Sequence, residues 1–226
     1  HELESAGFKT FLEPMLSIHC VDFQYADFTH YDAFIATSAN AVRCFSAGGN
    51  VDAGLRDITV YCVGKHTADS VREAGFSNAV SVDGTGEDLA NFISDLNEVK
   101  AQTFLHICGK HVAFPIVETL KARGIKASSL VVYETLKADT FTHSFLEKLE
   151  KGYVEVVTFF SKRTAEAFVD CVRQSESESI FSSIKVLSIS PSVLECVRVL
   201  PWGASYVSET PDRQGMLKLL KTYTSG

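Results

Sequence analysis

A buried strand that stops on two hydroxyl residues and turns at once into a helix sets the terms for this chain. The stretch is FIATSANAVRCF, Phe34 to Phe45. Apolar and small residues lead to Thr37-Ser38, and apolar residues then recur at helical spacing (Ala41, Val42, Phe45). Ser and Thr suit such a junction because their side-chain oxygens accept hydrogen bonds from the free N–H groups of the first helical turn. The helix start also carries partial positive charge, which makes the junction a seat for an anion.

The same grammar recurs along the chain. ITVYCVG leads to KHTADSVREAGF, which ends on Gly75. AVSV precedes the amphipathic GEDLANFISDLNEV, and TFLHICG precedes KHVAFPIVETLKARG, ending on Gly124. SSLVVYETL reads as a strand with Tyr133 near its end. THSFLEKLEKG reads as a helix; VEVVTFFS then leads to KRTAEAFVDCV, IKVLSIS to PSVLECVRV, and ASYVSE to a last helix, RQGMLKLLKTY. Strands alternating with helices imply βαβ units and a parallel sheet with helices on its faces. At the start, Leu3, Ala6 and Phe8 around Gly7 read as a helix end with its glycine cap. Pro14 interrupts the extended Lys9–Val21 segment and makes it an edge or a connection between bodies. Gly48-Gly49 reads as a turn.

The second half echoes the first. Setting Ser38 on Ser161 brings Phe45 onto Phe168, and setting Gly64 on Ser190 brings Thr67 onto Val193; the offsets are 123 and 126. A repeat of that period means two similar lobes rather than a solenoid. Its 226 residues suffice for one large domain or two small ones.

Five strand-to-helix junctions result: Thr37-Ser38, Gly64-Lys65-His66-Thr67, Gly109-Lys110, Ser161-Lys162-Arg163 and Ser190-Pro191-Ser192. Ligands of parallel sheets bind at the carboxyl ends of the strands, beside such helix starts. A net charge of −7 argues against a nucleic-acid surface and leaves any anion to local groups. The Glu176-Ser-Glu178 run reads as a solvated loop. No apolar run approaches the ~20 residues that cross a bilayer, and HELESAGF has neither the basic nor the apolar region of an export signal. Six cysteines without a C-x-x-C pair read as reduced thiols in a cytoplasmic protein. His106 and His111 lack the partners of a metal site, and no metal is expected. G-x-G-x-x-G, G-x-x-x-x-G-K-[ST] and G-x-S-x-G are all absent. The residues by themselves describe a two-lobed α/β protein that binds a small anion.

EPMLSI, FIATSANAV, VYCVGKHTAD, LHICGKHV, VVYETL, VTFFSKRTAEAF and SISPS followed by SETPDRQGML stand here in the order and spacing of one family. The chain resembles uroporphyrinogen-III synthase from about Leu3 to Leu220. The resemblance implies an α/β fold of two similar lobes, each a parallel sheet flanked by helices (flavodoxin-like or HemD-like), joined by a two-segment extended linker. Residues 1–14 and 138–226 would form a terminal lobe, 21–133 a middle lobe, and 15–20 and 134–137 the linkers.

The activity it implies is closure of the linear tetrapyrrole hydroxymethylbilane to uroporphyrinogen III in haem biosynthesis, with loss of water, inversion of ring D and no cofactor. A polycarboxylate small molecule would then be the partner of a cytoplasmic monomer, with no membrane or nucleic acid. Tyr133 matches the family's cleft tyrosine and would be the acid at the departing hydroxyl. Thr37, Ser38, Thr67 and Ser161 match cleft positions; Gly64, Lys65, His66, Gly109, Lys110, Ser190 and Ser192 complete the expected substrate contacts from their junctions. Two departures stand out: Val193 replaces a family threonine, and the family's opening strand, which ends in Thr-Arg, has no match. A two-lobed anion-binding module without catalytic activity, such as a solute-binding protein, is the alternative, and an inactive member of the family is a third reading.

Overall fold

The computed structural model describes residues 2–5, 7–23, 28–48, 54–96, 99–175 and 177–224. Ala6, Gly49 and Glu176, which the sequence reading used, lie outside this set. The described chain divides into two compact units, one of residues 1–17 with 136–226 and one of 18–135.

The 18–135 unit is built on a sheet whose strands are β1 (Leu16–Cys20), β2 (Ala33–Ala36), β3 (Thr59–Val63), β4 (Asn78–Val82), β5 (Thr103–Gly109) and β6 (Lys126–Lys137). Their spatial order is β1-β6-β5-β2-β3-β4, and the ladders from β6 to β4 are all parallel. Its helices are α2 (Ala39–Ala47), α3 (Lys65–Glu73), α4 (Gly86–Ser94) and α5 (Ile116–Ala122). Phe34 and Ala36 of β2 pack with Val42, Phe45 and Val71 of α2 and α3. Ala33 and Ile35, pointing to the other face, pack with Leu89, Ile93, Ile116 and Leu120 of α4 and α5. With both faces covered, β2 is buried along its whole length, as a central parallel strand must be.

Numbered from β2, this order is 3-2-1-4-5. A flavodoxin sheet runs 2-1-3-4-5, and the order here is a permuted form of it in which flavodoxin's first two strands follow its fifth. After β1, which pairs at the far edge beside β6, the chain lays down β2, adds β3 and β4 on one side, and then crosses to add β5 and β6 on the other. The direction of growth thus reverses between β2 and β5, the position at which open parallel sheets form a crevice.

The other unit carries the parallel sheet β7 (Val156–Phe159), β8 (Lys185–Ser188) and β9 (Ala204–Val207) in that order. Its helices are α1 (Glu2–Ser5), α6 (His143–Glu150), α7 (Lys162–Gln174), α8 (Pro191–Val197) and α9 (Arg213–Thr224). Val186 belongs to a core with Phe159, Phe168 and Val193. Leu187 faces Met216 and Leu220 of α9, with Leu3 and Phe8 packed against them. The helix end read at Gly7 is present: Gly7 has φ +88° and the Phe8 amide donates to the Leu3 carbonyl at 3.0 Å.

Two expectations fail within these elements. The helix expected directly after Gly109-Lys110 begins only at Ile116. Pro115 explains this, because its ring has no N–H to give and disfavours helical backbone at the residue before it. Gly109-Lys110 is therefore a strand end followed by a loop. The uniform reading of reduced cysteines also fails: Cys20 and Cys44 form a disulfide that ties β1 to α2. Cys62, Cys108, Cys171 and Cys196 are free thiols.

Candidate functional site

The carboxyl ends of β2, β5 and β6 bring together five of the residues expected from sequence. Ser38 is the N-cap of α2, with extended backbone (φ −151°, ψ 131°), and its Oγ accepts from the Asn40 amide at 3.2 Å. The same oxygen accepts the Tyr133 hydroxyl at 3.4 Å from β6, 95 residues away in sequence. Tyr133 reaches it across Gly109, its ladder partner at a register shift in β5. A Cβ on Gly109 would lie 2.6 Å from the Tyr133 ring, so only glycine leaves room for the tyrosine in this place. The Lys110 amide donates to the Tyr133 carbonyl at 2.9 Å, and its ammonium pairs with Glu134 at 3.1 Å. That lysine side chain is largely in solvent, so the pair adds little stability and leaves the cation available.

Thr37 does not cap the helix. Its Oγ1 lies 3.2 Å from Nε2 of His106 on β5, across the point where sheet growth reverses. His106 is 2% exposed, and burial holds its pKa down at about 4, with Glu118 acting weakly the other way, so the ring is neutral at physiological pH. In the sequence, His106 stood out only beside His111. The signal for a site role was its place in TFLHICG, an apolar run that the structure buries from Phe104 to Gly109, where a polar side chain needs a partner.

At the end of the neighbouring strand β3, Gly64 has φ +75° and serves as N-cap of α3. This left-handed conformation is one that glycine adopts without steric cost. Its amide donates to the Val82 carbonyl at 2.9 Å. Lys65 and His66 are exposed in the first turn, whereas Thr67 is buried beneath them.

The remaining expected residues belong to the other unit. Ser161, with φ −152° and ψ 149°, caps α7 by accepting from the Thr164 amide at 3.1 Å, and the two hydroxyls lie 2.8 Å apart. Ser190 is the N-cap of α8, with Pro191 in the first helical position, but its hydroxyl pairs with that of Ser192 at 3.1 Å and makes no cap bond. Val193 is 4% exposed and belongs to the core, so the departure from threonine falls at a packed position. Ser188, at the end of β8, is fully buried, and its hydroxyl has no hydrogen-bond partner among the described residues.

The group on β2, β5 and β6 is thus rich in hydroxyls, holds one exposed cation and has a neutral imidazole beneath it. It can hold carboxylates by hydrogen bonds and donate one phenolic proton. Among the described residues, no three His, Cys, Asp or Glu side chains form a metal ligand set, and no helix is long and apolar enough to cross a membrane.

Comparisons with known proteins point one way. The family model described as "Uroporphyrinogen-III synthase HemD" matches residues 1–218. A uroporphyrinogen-III synthase of Chlorobaculum parvum is 28% identical over 191 residues, which are 79% of this chain and 76% of that protein. One of Saccharomyces cerevisiae is 27% identical over 183 residues, 76% of this chain and 66% of that protein. Among solved structures, a uroporphyrinogen-III synthetase from Helicobacter pylori superposes with a TM-score of 0.61 at 20% identity, covering 92% of this chain and 90% of its own. A mutant synthase from Thermus thermophilus gives 0.52 at 22% identity, covering 97% and 90%.

Proposed function

The chain belongs to the uroporphyrinogen-III synthase family, and from that premise we propose that it is a hydro-lyase closing hydroxymethylbilane to uroporphyrinogen III without a cofactor. The observation that carries the reading is the hydrogen bond from Tyr133 to Ser38 at the carboxyl edge of the sheet. It sets a phenolic donor beside the Ser38 hydroxyl at the start of α2, in the crevice where a parallel sheet takes its ligand.

The substrate carries an acetate and a propionate on every pyrrole. Thr37, Ser38, the Gly64–Thr67 turn and Lys110 offer seats for such carboxylates, as do Ser161, Ser190 and Ser192 in their own unit. Tyr133 gives its proton to the departing hydroxyl, which leaves as water. The pyrrole nitrogen supplies the electron pair, forming an azafulvene cation. Ring D attacks through its substituted α-carbon to give a spiro intermediate, which fragments and recloses reversed. The proton lost on rearomatisation returns to the tyrosinate, so the cycle balances. Because the azafulvene forms readily, the protein's main contribution is holding the bilane in one conformation against direct closure, with the acid adding to it.

The same reading makes the two units two similar lobes joined by paired linkers, with 15–20 and 134–137 as the connecting segments. It is supported by the division of the chain after residues 17 and 135 and by the paired strands β1 and β6 that span those positions. It also makes the protein a cytoplasmic monomer. The free thiols of Cys62, Cys108 and Cys171 favour a reducing compartment, and the Cys20–Cys44 bond weighs against one.

Freshly prepared hydroxymethylbilane, incubated with the protein and oxidised to porphyrins for isomer separation, tests the activity. Type III product is expected; type I alone, at the uncatalysed rate, overturns the reading. Replacing Tyr133 with phenylalanine should slow closure by roughly a hundredfold or more with normal melting. An unchanged rate removes Tyr133 as the acid.

A further inference from the structure

Resting on the activity just described, we propose that His106 is a positioning residue: its Nε2–H donates to Thr37 Oγ1 and thereby turns the Thr37 hydroxyl proton outward to a substrate carboxylate. The register of the sheet makes this pairing possible. Ile35 of β2 stands opposite His106 of β5, so Thr37 is the diagonal neighbour two residues further along, on the same face. A long side chain spans that diagonal, and the ring nitrogen meets the hydroxyl at 3.2 Å.

The surroundings fix what the ring can do. His106 is 2% exposed on a strand whose neighbouring positions are buried, so the imidazole cannot itself reach a ligand in solution. Burial keeps it neutral, and a neutral imidazole has one donor nitrogen and one acceptor. If Nε2 accepted, the Thr37 proton would be turned inward and the outward face of its oxygen would only accept, which repels a carboxylate. With Nε2 as donor, Thr37 becomes a donor to the substrate, in line with Ser38 beside it.

Three measurements decide. Nitrogen NMR of histidine-labelled protein reads the tautomer without any turnover: Nε2–H is expected, and Nδ1–H overturns the assignment. In steady-state assays, His106→Leu should raise KM for hydroxymethylbilane roughly tenfold, the loss of one hydrogen bond's contribution, with kcat near that of the parent. His106→Gln, which keeps a donor amide, should restore most of it. Combining His106→Leu with Thr37→Val should cost no more than Thr37→Val alone, because both remove the same outward hydroxyl. Losses that multiply, or a His106→Leu variant that melts lower with unchanged KM, show a purely structural histidine. Should the parent protein yield only type I product, the activity reading fails, and this assignment with it; type III product together with multiplying losses defeats the assignment alone.

Discussion

Ser38 and Ser161 are the same device built twice and wired differently. Both follow a strand of a parallel sheet, both have φ near −150° and both give a side-chain oxygen to an amide of the following helix. Behind each lies a buried phenylalanine on the helix, Phe45 or Phe168. The difference is the second partner. Ser161 shares its hydroxyl with Thr164, one turn along its own helix. Ser38 shares its hydroxyl with Tyr133 on a distant strand, beside the Thr37–His106 contact. Backbone and packing are alike at the two caps, and the side chain that reaches each differs.

The strongest test of the shared part is the packing. Phe45→Ala and Phe168→Ala should each cost about 3–5 kcal/mol, as a deleted buried aromatic does, read by denaturant unfolding with probes in each unit. A large inequality would mean that the two helices are held by different means. Next comes a difference in acid response. The folded-state pKa of His106 lies below its unfolded value, so protons bind the unfolded chain first as pH falls. Stability of the 18–135 unit is therefore complete above about pH 6.5 and declines towards pH 4, by roughly 3 kcal/mol for the ~2.5-unit separation. In the other unit the described histidine, His143, has a side chain that is 89% exposed. Hydrogen exchange measured unit by unit between pH 7 and 4, in the parent and in His106→Gln, checks it; equal acid slopes would break the contrast. The smallest effect separates the caps themselves. Ser38→Ala and Ser161→Ala should each lose about 1 kcal/mol, but the coupled partner should be Tyr133 for the first and Thr164 for the second in double-mutant cycles.

Much of this was legible because its causes are local. Strand and helix periodicity, the serine caps and the glycines that end α1, α3 and α5 follow from rules reaching three or four residues. The loop after Gly109 is legible as well, since Pro115 breaks the helix that the strand-to-helix rhythm implies. What could not be read are relations across the sheet. The Cys20–Cys44 bond, the room that Gly109 leaves for a tyrosine ring and the pairing of Thr37 with His106 all depend on strand order and register. No pattern within one segment specifies those. Tyr133 was found through resemblance alone; its hydroxyl's partner required the fold.

The permuted strand order also fixes a sequence in time. The ribosome delivers β1 to β4 before β5 and β6, so half of the sheet can assemble around the Ser38 cap while β2 still lacks its β5 neighbour. Pairing of β2 with β5 joins Ala33 to Phe104, a distant contact whose loop closure slows folding. Tyr133 arrives last. A nascent chain that stalls before it carries a finished helix cap and an open sheet edge, the kind of surface that invites wrong partners, and the arrival of β6 is also what covers that edge of β5.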